Sequence, residues 1–204
     1  MTSEKIAVVL FNLGGPDGPD DVQPFLKNLF SDPAIIRSPL PVRFFVSRLI
    51  SKTRAPSARV NYARMGGGSP LLPETKKQAA ALDAELTKRG RVAKSFIAMR
   101  YWKPYAANAV SEVLAWGATK VVLLPLYPQF STTTTASSLK SWKQAGAGIR
   151  QQFQDAFGPS IDAWIEKNMP NAPGLSLEEQ RARGGTDAER DYARAGARMD
   201  AATP

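Results

Sequence analysis

Lys5-Ile6-Ala7-Val8-Val9-Leu10-Phe11 carries no polar side chain after its first residue and ends in Asn12-Leu13-Gly14-Gly15-Pro16-Asp17. Unbroken rather than alternating hydrophobicity marks a strand covered on both faces, as in a parallel sheet. The glycine turn stops it. Asp20-Asp21-Val22 then leads into Phe25, Leu26, Leu29 and Phe30 at helical spacing, with acids where a helix dipole favours them. Strand, glycine turn and helix in this order open an α/β fold.

Outward from that unit the same alternation continues. A helix is predicted from about Pro41 to Lys52, where Phe44, Phe45 and Leu49 lie beside Arg43 and Arg48 and where Pro39 and Pro41 mark the start. Another begins near Pro73-Glu74, carries Ala79 to Leu86 and stops at Arg89-Gly90. Val92–Met99 is the next strand, Pro104–Trp116 a helix closed by Gly117, and Lys120–Leu126 another buried strand. Thr132 to Thr135 suit an N-cap run for a helix continuing to Trp142. Strands separated by helices predict a three-layer α/β/α, Rossmann-like parallel sheet.

The chain has 204 residues, enough for one domain or one and a fraction. It contains no cysteine and no histidine. A disulfide framework, a cysteine-held iron–sulfur cluster, a histidine general base and a histidine-ligated metal are therefore impossible within these residues. The net charge of +9 is unevenly spread: residues 1–150 hold 21 Lys+Arg against 9 Asp+Glu, whereas residues 151–204 hold 6 against 9. The cations are densest from Arg37 to Arg64, interleaved with apolar side chains. No nucleic-acid-binding motif accompanies them, so the mixture fits an amphipathic anion or a membrane face better than nucleic acid. The longest apolar run is too short to span a bilayer or to form a signal-peptide core, and a cytoplasmic, soluble chain is expected.

Beyond residue 150 the character changes. Gln151 to Met169 keeps a helical pattern with Phe153, Phe157, Ile161, Trp164 and Ile165 on one face. From Pro170 large apolar residues nearly vanish, and disorder or loose helix is expected because burial there cannot offset ordering entropy. The organisation read from sequence is a domain over 1–150 and an atypical tail over 151–204.

Four segments carry more information than the pattern. They are Leu10-Phe11-Asn12-Leu13-Gly14-Gly15-Pro16-Asp17, Tyr62-Ala63-Arg64-Met65-Gly66-Gly67-Gly68-Ser69-Pro70-Leu71, Met99-Arg100-Tyr101-Trp102-Lys103-Pro104 and Leu124-Pro125-Leu126-Tyr127-Pro128-Gln129-Phe130-Ser131. In this order and spacing, with Thr134-Thr135-Ala136-Ser137-Ser138-Leu139 continuing the last, they resemble the amino-terminal half of bacterial-type ferrochelatase over residues 1 to about 150. The resemblance implies a lyase of haem and porphyrin biosynthesis that inserts ferrous iron into protoporphyrin IX. It also implies a chelatase-like fold of two Rossmann-like halves closing a cleft, of which this chain carries one. The histidine that serves the chemistry in the family lies in the other half and has no counterpart here. On that resemblance residues 151–204 are a frameshifted, truncated or fused end. The activity expected is the family's in altered form, or that of an inactive porphyrin-binding remnant.

By the same resemblance Leu13, Arg54, Tyr62, Ser69, Arg100, Tyr127 and Ser131 are the porphyrin-binding positions. No catalytic or metal-ligating residue and no resident cofactor are expected, iron and porphyrin being substrates. Read from the residues alone, Gly14-Gly15 is either a tight turn or a gap through which a flat macrocycle approaches the backbone. Three consecutive glycines at Gly66–Gly68 likewise read as a turn that something approaches closely. Arg54 is either a solvated cation or a two-bond clamp for a propionate, and Tyr62 is either core or a ring contact. Arg100 ends a strand at its carboxyl end, where open α/β sheets bind ligands, or else caps a helix or pairs with Glu112. Tyr127, Gln129, Phe130 and Ser131 follow another strand end and are expected on the same rim. Residues 41–50 are the expected peripheral contact with the inner membrane.

Overall fold

A computed structural model describes residues 4–147. Three parallel strands, β1 (Lys5–Asn12), β2 (Val92–Met99) and β3 (Lys120–Pro125), form one sheet in the order β2-β1-β3. The continuous apolar run takes the centre: Ala7 to Phe11 are all buried, paired on one side with Lys94–Ala98 and on the other with Val121–Pro125. A strand buried on both faces needs apolar side chains at every position, which is what its sequence supplies.

Helices cover both faces. On one, Val8 and Leu10 pack with Ala79, Leu82 and Leu86 of α3 (Leu71–Lys88). The other face is closed by α4 (Ala106–Ala115) and α5 (Ser137–Ala147), with fully buried Trp142 set edge-on to Phe11 at 5.9 Å between ring centroids. Each such aliphatic side chain removed from water contributes about 1.5–3 kcal/mol before ordering costs. The result is the three-layer α/β/α sandwich expected from sequence.

The remaining two helices, α1 (Val22–Phe30) and α2 (Leu40–Arg64), pack on each other. The acids Asp20 and Asp21 fall in a short 3-10 turn that precedes α1 rather than in the helix. Helix α2 corrects the sequence reading more substantially: it does not end at Lys52 but runs through Pro56 to Arg64. An interior proline removes a backbone bond and costs about 3 kcal/mol. Ser47, Ser51 and Ala55 recur every fourth residue, and all are buried on α2, which packs against α1. Tertiary packing along this small-residue stripe carries the helix past the break.

Strand β3 is a second correction. It was expected to be fully buried, yet Val122 and Leu124 are exposed while Leu123 is buried. Among the described residues it is an edge strand with one sheet neighbour, and α3 and α4 pack chiefly over β1 and β2. The expected helix over Gln151–Met169 and the expected disorder beyond it lie outside the described residues.

Candidate functional site at the strand ends

The carboxyl ends of the strands are knitted together by backbone. The Arg100 N–H donates to Asn12 O at 2.9 Å and the Tyr101 N–H to Leu13 O at 3.0 Å, extending the β1–β2 ladder past both strands. The Leu126 N–H donates to Phe11 O at 2.9 Å and brings the Tyr127 segment to the same end. Asn12 Nδ2 donates to Thr75 Oγ1 at 3.1 Å and Asn12 Oδ1 accepts from the Leu13 N–H, so the turn after β1 is fixed to α3. Leu13 is half-buried against Phe25, Tyr101 and Trp102.

The glycine turn serves packing between loops. Gly14 has φ +83°, and a Cβ there would meet Met99 and Trp102 at 3.1 Å. A Cβ on Gly15 would collide with Cβ and Oγ of Ser69. Of the two readings of this turn, the tight-turn one holds for the space at Gly15, which Ser69 fills. The Ser69 N–H donates to Pro16 O at 2.8 Å, and its hydroxyl accepts from the Leu71 N–H at 3.3 Å at the start of α3.

A buried polar network ties this rim to the loop after α1. Asp32, 5% exposed, directs Oδ2 at three donors: Arg100 Nη2 at 2.7 Å, the Tyr101 hydroxyl at 2.8 Å and the Ser137 hydroxyl. Its Oδ1 accepts from the Ala34 N–H at 2.8 Å. Ser137 Oγ in turn accepts from Arg100 Nε at 2.6 Å. Burial acts to raise the Asp32 pKa, but the Ser137 hydroxyl, the Ala34 N–H, the Tyr101 hydroxyl and the Arg100 charge outweigh it, and the carboxyl titrates below its ordinary value. Burial, foremost, pushes the Tyr101 phenol far up. Arg100 therefore pairs with Asp32, and the alternative pairing with Glu112 is not formed.

The other expected positions fall as follows. Tyr127 is half-buried with its hydroxyl 2.8 Å from Ser138 Oγ, and burial raises its pKa while the Ser138 bond and the Arg100 charge oppose the rise. Ser131 caps the turn that enters α5: its Oγ accepts from the Thr134 N–H at 3.2 Å and shares a 2.6 Å bond with Thr134 Oγ1. That turn, Thr132–Ala136, is a π turn rather than a plain N-cap run. Leu13, Ser69, Arg100 and Tyr127 thus lie at the strand ends, and Ser131 follows in the loop that enters α5. Tyr62 lies in the last turn of α2, half-buried, which raises its pKa. Arg54 is exposed two turns earlier, with no side-chain partner among the described residues.

Asp32 carried no signal in the sequence and Ser137 stood only within the continuation of the last motif, and nothing pointed to the contact of Trp102 Nε1 with Asp17 Oδ2 at 3.0 Å. The Asp32-Pro33 step is the only local hint, since it reads as a turn and nothing more. A separate cavity of about 900 Å³ lies between α1 and α2, lined in part by Lys27, Phe44, Phe45, Arg48, Lys52 and Arg59. None of the seven expected positions borders it. Among the described residues no group of three or more acidic side chains is placed to hold a metal.

The ferrochelatase family model matches residues 5–168. The chain belongs to the ferrochelatase family. The match to ferrochelatase runs to residue 168, past residue 150 where the resemblance was expected to end. Ferrochelatase of Hyphomonas neptunium is 68% identical over 187 residues, covering 85% of this chain and 52% of that protein. Ferrochelatase of Caulobacter vibrioides (strain NA1000 / CB15N) is 61% identical over 152 residues, or 72% of this chain and 44% of that protein. The chloroplastic ferrochelatase-2 of Oryza sativa subsp. indica is 50% identical over 141 residues, or 68% and 27%. The chain spans about half the length of the bacterial relatives it matches.

Proposed function

We propose that this chain forms the porphyrin-binding wall of a ferrochelatase and that, alone, it binds protoporphyrin IX without inserting iron. The observation that supports the reading is that Leu13, Arg100 and Tyr127 lie on the segments leaving the carboxyl ends of the strands, with Ser69 packed on the turn after β1, the position at which open parallel sheets receive ligands. Leu13 offers an apolar contact to the ring, Tyr62 and Tyr127 offer ring faces and hydroxyls, and Arg54 offers an uncommitted guanidinium to a propionate.

The whole reaction replaces two pyrrole N–H bonds by bonds to ferrous iron and releases two protons. A group titrating near neutrality accepts them most effectively. No histidine exists in these 204 residues. At the rim Asp32 is held ionised by its donors, which makes it a weak base, and Tyr101 and Tyr127 hold their protons. Binding without turnover follows. Saturable quenching of protoporphyrin fluorescence by the 204-residue chain, with no Soret shift under anaerobic ferrous iron or zinc beyond the protein-free control, is the expected result. Turnover above that control would assign the proton transfer to a carboxylate of this half, and absence of porphyrin binding would overturn the reading.

The same reading includes a peripheral membrane contact through residues 41–50. Helix α2 carries Arg43, Arg48, Lys52, Arg54, Arg59 and Arg64 and no acid. Leu40, Val42, Phe44, Phe45 and Leu49 are exposed at its amino-terminal half. Cations beside exposed aromatic and aliphatic side chains suit an anionic bilayer surface. No helix of the described residues is long and apolar enough to cross a membrane.

A further inference from the structure

Seven positions were expected to touch the porphyrin, two of them arginines, yet the two guanidiniums stand in opposite electrostatic situations. Arg54 is exposed and unpaired among the described residues. Arg100 is 22% exposed and spends Nη2 on Asp32 and Nε on Ser137, with its guanidinium carbon 4.8 Å from the Tyr101 ring centroid. Among the described residues Asp32 has no other cation in contact, so its negative charge is cancelled by Arg100 and cancels Arg100 in return.

Resting on the porphyrin-binding reading, we propose that Asp32 is a specificity-determining positioning residue: by pairing with Arg100 it withholds that positive charge from the porphyrin's carboxylates and leaves propionate recognition to Arg54. The pair presents the rim with a dipole where a full cation would otherwise stand. A dipole's field falls off faster than a charge's, and the remaining Nη1 group acts as a hydrogen-bond donor without the attraction of an unpaired charge. Ser137 completes the lock. Its hydroxyl accepts from Arg100 and donates to Asp32, so neither side chain turns away without breaking two bonds. The backbone contributes as well: the Ala34 N–H on Asp32 and the Arg100 N–H on Asn12 O fix both partners at their Cα ends.

This arrangement makes a quantitative distinction that a purely structural role does not. The affinity ratio between a porphyrin diacid and its dimethyl ester reports how much positive charge the carboxylates feel, whatever happens to the affinity for the ring. In Asp32→Asn the pair gains one net positive charge, and the ratio rises about five- to tenfold, the size of one partly screened charge contact. In Asp32→Asn/Arg100→Gln the pair is neutral again, and the ratio returns to the parent value even if both affinities fall together. Arg54→Ala lowers the ratio in either background.

The experiment is a fluorescence titration of the full 204-residue chain and these variants with protoporphyrin IX and its dimethyl ester in the same detergent, alongside urea unfolding to show that each variant is folded. A raised ratio in Asp32→Asn restored in the double variant supports the proposal; an unchanged or lowered ratio in folded Asp32→Asn overturns it. Should Asp32→Asn fail to fold, the double variant decides, because it buries no unpaired charge: a parental ratio supports the proposal and a fivefold loss assigns the clamp to Arg100 and overturns it. Failure of the parent chain to bind either porphyrin strikes the porphyrin-binding reading itself, an outcome separate from any change in ratio.

Discussion

Asp32 Oδ2 accepts from Arg100 Nη2 at 2.7 Å, so the loop after α1 and the end of β2 meet in one ion pair whose carboxylate is buried and whose guanidinium is partly so. Two charges out of water repay their desolvation only when every lone pair is used. Here the carboxylate has four donors, and the loop they hold in place is the one that leads from α1 to the cationic helix α2.

Removing one member of that pair is expected to be costly. Asp32→Ala should lower stability by about 3–5 kcal/mol at neutral pH, because Arg100 is then left without its counter-charge. Asp32 titrates below its ordinary value of 3.8 in the folded chain, so its contribution is complete above that pH and is lost as pH falls through the folded pKa. Urea unfolding across pH 2–7 should show parent and variant converging in acid; a constant gap would separate the effect from ionisation.

At the glycine turn, Gly15→Ala should destabilise by about 1–3 kcal/mol through overpacking against Ser69. The added methyl meets Ser69 Cβ, an atom fixed to the backbone. In a Ser69→Gly background the same substitution should cost much less, and a double-mutant cycle in urea measures the coupling. Additive costs would mean that the two loops do not rest on each other.

Arg54→Ala should weaken protoporphyrin binding at least several-fold, in line with the roughly 1.5–3 kcal/mol of a hydrogen bond to a charged group. Because Arg54 is exposed, thermal unfolding of the variant should match the parent. Equal affinity in a fluorescence titration would remove Arg54 from the site.

Phe45→Glu/Leu49→Glu should reduce co-sedimentation with vesicles containing anionic phospholipid, since both side chains are exposed beside Arg48 and Lys52. Binding to neutral vesicles should be weak for parent and variant alike. Undiminished sedimentation of the variant would place any membrane contact elsewhere.

What was legible in the sequence follows from how local each cause is. The central strand announces itself because burial on both faces demands apolar residues at every position, and Ile6 to Phe11 satisfy that with no help from afar. Helix α2 runs past Lys52 and the local break of Pro56 because Ser47, Ser51 and Ala55 are buried on a helix that packs against α1, and no local signal carries that packing. The exposure of Val122 and Leu124 was hidden for a related reason: an edge strand and a central one have similar compositions, and strand order is a property of the assembled sheet. At the rim, the motifs contained Arg100 and Ser137, but Asp32, which joins them, sits 68 residues before Arg100 in an Asp-Pro turn, and Ser137 lies 37 beyond Arg100. No spacing rule connects such positions.

The order β2-β1-β3 has a consequence for how the chain is made. Of the three described strands, the one made first lies between the other two, which follow about ninety and more than a hundred residues later. At typical synthesis rates this apolar segment waits several seconds before either described partner strand is made. The intervening helices α1, α2 and α3 form from local contacts and are free to assemble first. Synthesis of this half therefore passes through a stage in which helices are present and the sheet is not, and the nascent Ile6–Phe11 segment is the natural client of whatever shields apolar strands in the cell.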